Sequence, residues 1–509
     1  MHALLAVAFL AAAPPTPVER PRLAVLVVID QLSAGTFDQR AFSPTGGMAR
    51  LKTQGYRVRE CRYDGVPTLT SAGHSTLVTG TWAELHGVVA NEWVDWETGE
   101  PTYSTEDPAY RVVGRDPRPR DGTSPRFQMT PTLGDALKAF DARAKVVSIS
   151  GKDRSGILMA GHAADHALWV DPFSPQFVTS TFYESALPAW AAPVNQALFE
   201  AFVSQVRLAL PAGGITGLNA QNAFAAVDAG SELPSEADAW QPLFEKAEVD
   251  LALAAVKGEG LGKDEVPDFL AISFSSHDFL AHEHGSDSSE VVADFARIDA
   301  QLGRLLDGLD QLVGKGRYVL ALSADHGGNQ VPEELAKRKV AAGRIDPKAL
   351  LGKLKAEADR VLGKGDWLKQ FKTPGYYATA TGREKVEAAY PALRAEARRT
   401  PGVQDLLSLR RLLDGTETSA LAPLYRRGAY PGRSPDYLVL TRAYWMTGKD
   451  PAGHGTWLDY DRSVPLLFIG GGVPRGEGGK ALAVDVAPTL ASLLGVPPPP
   501  ASQGTAFRF

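Results

Sequence analysis

Six carboxylate and imidazole side chains follow predicted strands or lie in the turns close to them. They are three aspartates and three histidines: Asp30, Asp278, Asp325, His282, His326 and His454. Each aspartate taken alone fits an ordinary helix cap. Together they provide the oxygen and nitrogen ligands of a two-zinc site. The chain has a single cysteine, Cys61, so a Cys-rich metal cluster and an intramolecular disulfide are both excluded.

A threonine hydroxyl lies where such a site could activate it. Thr70 follows the turn at Pro67 and begins a Ser/Thr/Ala/Gly-rich segment predicted to start a helix. Free N–H groups and the helix dipole favour an anion at that position. Threonine is also a good N-cap residue, so this segment alone leaves capping and catalysis open. The predicted metal ligands elsewhere in the chain favour catalysis, because a metal lowers the pKa of a hydroxyl bound to it.

Three further polar side chains could hold an oxyanion. Lys152 and Arg154 lie two residues apart, just beyond the predicted strand Lys145–Ser150, and Asn91 follows a turn at Gly87. Two cations at a strand's carboxyl end can clamp an anion. In isolation the same pair is more typical of a solvated surface loop.

The elements that position these residues alternate along the chain. Continuous apolar runs, typical of strands buried on both faces of a parallel sheet, occur at 23–29, 145–150, 268–274 and 318–324. Between the last two, apolar residues from Phe295 to Leu312 recur every three or four positions, which predicts an amphipathic helix. The alternation predicts an α/β fold with a doubly wound, mostly parallel sheet flanked by helices. Ligands in such folds collect at the carboxyl ends of the strands.

One catalytic domain, 22–509, is predicted to carry three insertions, at about 95–140, 172–265 and 333–450. Residues 95 to 130 are rich in Pro, Arg, Asp and Thr and are predicted to form a long surface excursion. The second insertion contains an amphipathic helix near Phe244–Lys257. The third insertion contains helices near Pro347–Leu362 and Arg383–Arg399. The apolar run Tyr437–Leu440 is predicted to return the chain to the core sheet.

Composition restricts the partners and the location. The net charge of -6, with Lys and Arg scattered along the chain, argues against nucleic-acid binding. Residues 1–13 are apolar and precede a Pro-rich spacer, so 1–17 are predicted to be a signal peptide and spacer of a periplasmic or secreted protein. No later stretch approaches the ~18 uninterrupted apolar residues of a membrane helix, so no stable membrane insertion is expected.

These motifs, in this order, resemble the alkaline phosphatase superfamily, specifically its phosphate-irrepressible alkaline phosphatases with a threonine nucleophile. The resemblance covers most of the chain and rests on matches at Asp30, Pro67–His74, Asn91, Lys152-Asp153-Arg154, Asp278 with His282, Asp325-His326-Gly327, Gly453-His454-Gly455 and Asp485–Leu490.

The resemblance implies an alkaline-phosphatase-like fold with inserted cap segments and two Zn²⁺ per chain. One zinc would be held by Asp278, His282 and His454. The other would be held by Asp30, Asp325, His326 and the hydroxyl oxygen of Thr70. The catalytic residues implied are Thr70, Asn91, Lys152 and Arg154, with the last three binding the non-bridging phosphate oxygens. His74, His277 and His284 are expected to have supporting or structural roles.

The activity implied is that of an alkaline phosphatase, a monomer that hydrolyses small-molecule phosphate monoesters through a phosphothreonine and releases inorganic phosphate. A monoester dianion carries more charge than a diester monoanion, so Lys152 and Arg154 together favour the monoester. The first alternative is a phosphodiesterase or nucleotide pyrophosphatase of the same superfamily, although such relatives lack the Lys-x-Arg pair and carry Lys where this chain has Leu69. A non-catalytic metal-binding protein is the remote alternative.

Two other branches of the superfamily fit less well. Sulfatases require a modifiable Cys or Ser in a Cys/Ser-x-Pro-x-Arg run, which the residues from Cys61 to Gly65 do not form. Cofactor-independent phosphoglycerate mutases use a serine where this chain has Thr70, and they lack an export signal.

Overall fold

A computed structural model describes residues 20–119, 121–209 and 236–509 of the chain. The predicted signal peptide and spacer at 1–17 lie outside the described residues. The strands, in chain order, are β1 (Leu23–Ile29), β2 (Tyr56–Arg62), β3 (Glu92–Val94), β4 (Pro101–Tyr103), β5 (Val112–Val113), β6 (Val146–Ser150), β7 (His166–Val170), β8 (Phe177–Ser180), β9 (Asp268–Phe274), β10 (Tyr318–Ser323), β11 (Gly343–Ile345), β12 (Leu368–Lys372), β13 (Gly375–Ala378), β14 (Val403–Ser408), β15 (Tyr437–Thr441), β16 (Trp445–Thr447), β17 (Ser463–Gly470) and β18 (Gly476–Leu482).

The α-helices are α1 (Ala34–Gln39), α2 (Gly47–Gln54), α3 (Thr70–Thr79), α4 (Ala83–His86), α5 (Leu133–Phe140), α6 (Asp153–Ala160), α7 (Ala192–Ala209), α8 (Glu236–Glu259), α9 (Ser276–His284), α10 (Ser289–Leu312), α11 (Pro332–Lys337), α12 (Pro347–Leu362), α13 (Tyr390–Arg399), α14 (Leu409–Asp414), α15 (Ala422–Arg427), α16 (Asp459–Arg462) and α17 (Val486–Leu494). Short 3₁₀ turns precede α13 and α17, at Val386–Ala389 and Ala483–Asp485. Within the described ranges, no helix is both long enough and apolar enough to cross a bilayer.

A ten-stranded sheet forms the centre of the molecule, in the order β18-β2-β17-β10-β1-β9-β6-β7-β8-β5. β1 pairs in parallel with β9 and with β10, and β6 pairs in parallel with β9 and with β7. All residues of β1, β6, β9 and β10 are buried, as their unbroken apolar runs predict. The predicted α/β fold with a mostly parallel sheet and flanking helices is therefore confirmed.

Helices α8 and α10 cover this sheet. The predicted amphipathic stripe of α10 is buried at Phe295, Ile298, Leu302, Leu305 and Leu309. α8 also lies in the main core, through residues that include Phe244, Val249 and Leu251. Because α8 falls within 172–265, part of that predicted insertion packs directly on the central sheet.

The region 95–130 is less exposed than its composition predicts. β5 pairs with β8 at the edge of the main sheet, and Ser104, Thr105 and Ser124 are fully buried. The prediction of a surface excursion is wrong for these residues, because they are buried, with the Ser104 and Ser124 hydroxyls and the Thr105 carbonyl hydrogen-bonded inside the protein. The Thr123 hydroxyl, for example, donates to the Thr105 carbonyl at 2.8 Å.

A second sheet, in the order β12-β13-β15-β14, forms within the segment 333–450. It has its own apolar core, which includes Leu354, Tyr376, Leu393 and Leu406. The prediction that Tyr437–Leu440 returns to the core sheet is wrong, since β15 pairs with β13 and β14 instead. A short buried apolar run specifies a buried strand without specifying its sheet, so the sequence could not distinguish the two.

Candidate active site

Three predicted metal ligands meet at the carboxyl end of β9. α9 begins directly after this strand and presents Asp278 and His282 one helical turn apart on the same face. His454 joins them from the loop that follows β16. The Nε2 atom of His282 lies 3.3 Å from Asp278 Oδ1 and 3.2 Å from His454 Nε2, while His454 Nε2 lies 3.6 Å from Asp278 Oδ1.

A second group lies beside the first, where β1 and β10 end. His326 Nε2 lies 3.6 Å from Asp30 Oδ1, 3.2 Å from Asp325 Oδ2 and 3.4 Å from the Thr70 hydroxyl oxygen. Ligand atoms of Asp278 also lie within 4.8 Å of those of Asp30 and His326. Asp278 is therefore within reach of both groups.

The spacing of these atoms fits bound metal ions. Around a tetrahedral ion with bonds of about 2.0–2.2 Å, neighbouring ligand atoms lie roughly 3.3–3.6 Å apart. The six distances given above run from 3.2 to 3.6 Å. Asp278, His282 and His454 could therefore enclose one ion with little rearrangement, and Asp30, Asp278 and His326 lie close enough together to hold another.

The carboxylates have oxygens to spare for such ions. Asp30 Oδ1, Asp278 Oδ1 and Asp325 Oδ2 are buried and accept no hydrogen bond from any described residue. These are the same oxygens that face the histidine Nε2 atoms. A buried carboxylate oxygen without a donor is costly, and a cation between it and an imidazole would satisfy it.

The three histidines are held in the tautomer that a metal requires. In each ring Nδ1 lies near a backbone carbonyl: Ala452 for His282 at 3.0 Å, Thr68 for His454 at 2.8 Å and Gly327 for His326 at 2.9 Å. A carbonyl oxygen only accepts, so Nδ1 carries the proton and Nε2 keeps its lone pair. This is the usual arrangement of a metal-bound histidine and its supporting partner.

The local charges agree with this assignment. Burial lowers the pKa of His454 well below its usual value and also lowers that of His326, so both rings are neutral near pH 7. Burial, and then Asp278 and Asp325, raise the pKa of Asp30. Burial alone would raise the pKa of Asp278 as well, but Lys152 and His282 hold it well below its ordinary value. For His282, burial alone would lower the pKa, but Asp278 raises it overall. Two neutral imidazoles and this third ring beside crowded carboxylates form a set of groups that attracts a cation.

Thr70 is the first residue of α3, as predicted, and its hydroxyl does not cap the helix. The N-cap residue is Leu69, and no side chain caps this end. Gly73 allows the close packing that brings Thr70 to His326, because a Cβ at this glycine would lie only 2.2 Å from the Asp325 carbonyl oxygen. Thr70 is thus a buried hydroxyl at a helix N-terminus, beside the second ligand group.

The two predicted cations lie at different depths. Lys152 is almost completely buried, with Nζ 2.6 Å from Asp30 Oδ2 and in contact with Asp278 Oδ2. Arg154, at the start of α6, is half-buried and donates from Nη1 to the Tyr103 hydroxyl at 3.3 Å. Lys152 therefore shares the carboxylates of the ligand groups, and Arg154 lies toward the hairpin β3–β4.

Asn91 is connected to Thr70 through the next residue. Its Oδ1 accepts a hydrogen bond from the Ser71 backbone N–H at 2.9 Å, which leaves its NH₂ group as the donor for a ligand. The predicted site residues are thus all brought together, Asn91 by way of Ser71.

Of the three other histidines, His74 contacts the site residues Thr70 and Asp325. His74 Nδ1 lies 2.9 Å from the Thr70 carbonyl and 3.2 Å from Asp325 Oδ2, and its Nε2 lies 2.8 Å from the Ser273 hydroxyl. His277 is fully buried, 3.4 Å from Asp294. His284 is the last residue of α9.

A cleft of about 460 Å³ opens beside His282, His454 and Asn91. Its far wall is formed by residues of the segment 333–450, which include Lys372, Thr373, Tyr425, Thr441 and Asp450. Lys372 forms an ion pair of 2.6 Å with Glu92, the residue after Asn91. No sequence motif indicated this wall or Tyr103, because both depend on contacts between segments far apart in the chain.

Comparisons with known proteins agree with this geometry. The family model described as type I phosphodiesterase / nucleotide pyrophosphatase matches residues 24–457. Alkaline phosphatase PafA of Elizabethkingia meningoseptica is 29% identical over an alignment of 516 residues, gaps included, that covers 96% of this chain and 94% of that protein. Alkaline phosphatase PhoK of a Sphingomonas species is 31% identical over an alignment of 518 residues that covers 94% of this chain and 89% of that protein. A Myroides odoratus protein named calcium-transporting ATPase is 29% identical over an alignment of 524 residues that covers 96% of this chain and 94% of that protein.

Solved structures give the same relationship. The crystal structure of wild-type PafA aligns with a TM-score of 0.84 at 26% identity, covering 97% of this chain and 99% of that one. Murine ectonucleotide pyrophosphatase/phosphodiesterase 5 aligns with a TM-score of 0.50 at 15% identity, covering 96% of this chain and 98% of that one. The second match concerns the fold alone.

Proposed function

Because the chain belongs to the type I phosphodiesterase / nucleotide pyrophosphatase family and within it is an alkaline phosphatase, we propose that it hydrolyses small-molecule phosphate monoesters through a phosphothreonine at Thr70. The observation that carries this proposal is the position of the Thr70 hydroxyl. It is buried at the N-terminus of α3, 3.4 Å from His326 Nε2, and takes no part in capping the helix.

Two Zn²⁺ are proposed as the resident ions. Mixed imidazole and carboxylate ligands suit zinc, whereas calcium and magnesium prefer oxygen ligands in larger number. Asp278, His282 and His454 would hold one ion, and Asp30, Asp325, His326 and Thr70 would hold the other. When bound, such ions lower the pKa of a coordinated hydroxyl and stabilise negative charge on a departing oxygen.

The reaction begins with the attack of the Thr70 oxygen on phosphorus, in line with the leaving alkoxide. The free N–H groups at the start of α3 add to the positive field around the reacting oxygens. Asn91 and Arg154 donate hydrogen bonds to the non-bridging oxygens, and Lys152 contributes its buried positive charge. Water then cleaves the phosphothreonine, which releases inorganic phosphate and restores the hydroxyl.

The preference for a monoester follows from the same cations. A monoester presents two negative charges and three non-bridging oxygens, and a diester presents one charge and two such oxygens. Arg154 and Lys152 therefore gain more from the monoester as its charge redistributes in the transition state. The leaving group would lie in the cleft lined by Lys372, Thr373 and Thr441.

The test compares kcat/KM for p-nitrophenyl phosphate and for bis-p-nitrophenyl phosphate with the zinc-loaded protein at alkaline pH. A large preference for the monoester supports the proposal. A preference for the diester would place the protein with the phosphodiesterases while leaving Thr70 and the ligand groups as assigned. Acid quenching during turnover, followed by mass spectrometry of the peptide that contains Thr70, tests the phosphothreonine directly.

We also propose that the protein is exported to the periplasm or beyond and acts as a monomer. Residues 1–17 carry the proposal of export. Sequencing the N-terminus of the protein recovered from its native host tests it, since cleavage within this stretch is expected.

A further inference from the structure

Tyr103 connects the hairpin β3–β4 to the proposed phosphate-binding arginine. Its hydroxyl accepts a hydrogen bond from Arg154 Nη1 at 3.3 Å and donates one to Asp153 Oδ1 at 2.7 Å. Asp153 and Arg154 are the first two residues of α6. One phenol therefore contacts both side chains at the beginning of the helix.

The same hairpin closes on Asn91. β3 and β4 pair in antiparallel fashion, with Glu92 opposite Tyr103, so that Asn91 and Ser104 lie at the open end. The Ser104 N–H donates to the Asn91 carbonyl at 2.9 Å, and its hydroxyl lies 2.8 Å from that of Ser71. Ser71 in turn donates its N–H to Asn91 Oδ1. The hairpin thus contacts Ser71, which follows Thr70, and also Asn91 and Arg154.

Arg154 depends on this contact for its orientation. Its Nε is buried and has no hydrogen-bond partner among the described residues, so this donor remains available for a ligand. A long arginine side chain loses considerable rotamer entropy when it is fixed in one place. A partner that holds one end of the guanidinium before substrate arrives removes part of that cost from binding.

The charge states fit this arrangement. Burial, and then the carboxylate of Asp153, raise the pKa of the Tyr103 hydroxyl, so the phenol stays neutral and can donate and accept at once. Burial alone would lower the pKa of Arg154, but Tyr103 and Asp153 raise it overall. The guanidinium remains charged across the working range of the enzyme.

We propose that Tyr103 is a positioning residue, which fixes the Arg154 guanidinium relative to Asn91 and so strengthens the preference for phosphate monoester dianions. This inference rests on the proposed function. It adds to it a residue that is outside the predicted site and does not itself reach the substrate.

The experiment is a double-mutant cycle with Tyr103→Phe and Arg154→Ala, separately and together. We expect Tyr103→Phe to lower kcat/KM for p-nitrophenyl phosphate by about 10-fold, the effect of losing a hydrogen bond to a charged group. The loss for bis-p-nitrophenyl phosphate should be smaller. In the Arg154→Ala background, Tyr103→Phe should change neither value appreciably, because the group that it orients is gone.

A second readout does not depend on turnover. Calorimetric binding of inorganic phosphate to the zinc-loaded protein should weaken in Tyr103→Phe and should not weaken further when that change is added to Arg154→Ala. If the wild-type protein hydrolyses no monoester, the proposed function fails, and the phosphate titrations still decide whether Tyr103 acts through Arg154.

Tyr183→Phe provides the matched control. The Tyr183 hydroxyl donates to the carbonyls of Ile157 and Gly161, at the opposite end of the same helix, at 3.3 and 3.0 Å. It should leave the ratio of monoester to diester activity unchanged. The proposal is overturned if Tyr103→Phe behaves like Tyr183→Phe, or if it has the same effect with and without Arg154. Should Tyr103→Phe fail to fold, Asp153→Asn tests the same link, since it weakens the anchor of the phenol.

Discussion

The Nε2 atoms of His282 and His454 lie 3.2 Å apart, and the other nitrogen of each ring faces a backbone carbonyl. Two nitrogen lone pairs this close repel each other unless a proton or a cation lies between them. Burial lowers the pKa of His454 well below its usual value; burial alone would also lower that of His282, but Asp278 raises it overall. A metal ion held by both nitrogens and by Asp278 would take the place of the proton that His282 otherwise carries between them.

Metal content follows from this geometry. We expect two zinc ions per chain by elemental analysis of the purified protein and about one in His454→Ala, with phosphatase activity lost in the variant. Chelation should abolish activity and lower Tm, because ions bound only by the folded state stabilise it. His162→Ala is the control, since His162 is partly exposed and interacts with Asp135 rather than with a proposed ligand. Full zinc content in His454→Ala would contradict the ligand assignment.

Thr70→Ala should retain zinc and Tm but lose monoesterase activity by several orders of magnitude, on the order of the losses seen when other nucleophiles are removed. Thr70→Ser keeps a hydroxyl at the same place and should retain measurable turnover. Thr79→Ala removes a hydroxyl at the other end of α3, one that donates to the Ser75 carbonyl at 2.6 Å, and should leave kcat nearly unchanged. Activity of Thr70→Ala near that of the wild type would exclude Thr70 as nucleophile.

Removing both cations should change the choice of substrate. Lys152→Ala combined with Arg154→Ala is expected to lower kcat/KM for a monoester at least 100-fold more than for a diester, since two positive charges near the phosphate are lost. The single variants should differ: Lys152→Ala also removes the partner of Asp30 and Asp278, so its zinc content must be measured alongside. Equal losses on the two substrates would refute the idea that this pair recognises the dianion.

Stability should depend on pH through Asp461. Burial raises the pKa of this carboxyl to about 8 from its ordinary 3.8. Between those values the folded protein holds a proton that the unfolded chain releases, so this residue's contribution to the free energy of unfolding falls as pH rises from about 4 to about 8. Asp461→Asn removes this dependence. The Tm of the variant minus that of the wild type should therefore rise from pH 5 to pH 9. A difference in Tm that stays constant or falls over this range would contradict the role of Asp461.

The grouping of the proposed ligand residues could be predicted because of where they lie in the sequence. Asp30 and Asp325 each follow a buried apolar run. Because the carboxyl ends of parallel strands meet at one edge of a sheet, the predicted fold brings these two carboxylates together. Thr70 could be placed at a helix start for the same reason. Local sequence therefore determined both the strands and the residues that end them.

The contacts that the sequence could not predict are those between distant segments. Tyr103 lies in a stretch whose polar composition predicts exposure, yet its hydroxyl contacts residues about fifty positions later. The strand Tyr437–Thr441 has an apolar pattern that either sheet could accommodate. In both cases, partners far away in the chain decide the environment, and no periodicity within the segment identifies them.

The cleft wall at Lys372, Thr373 and Thr441 belongs to a segment with its own sheet and apolar core. Thr70 and the proposed ligands lie outside that segment, on α3 and α9 and in the loops after β1, β10 and β16. In the proposed mechanism, bond cleavage and contact with the leaving group therefore belong to parts of one chain that have separate apolar cores. On that proposal, mutations in the wall would alter which alcohol is accepted without disturbing the groups that act on phosphorus. Libraries confined to this wall are thus a route to enzymes with new substrate ranges and unchanged chemistry.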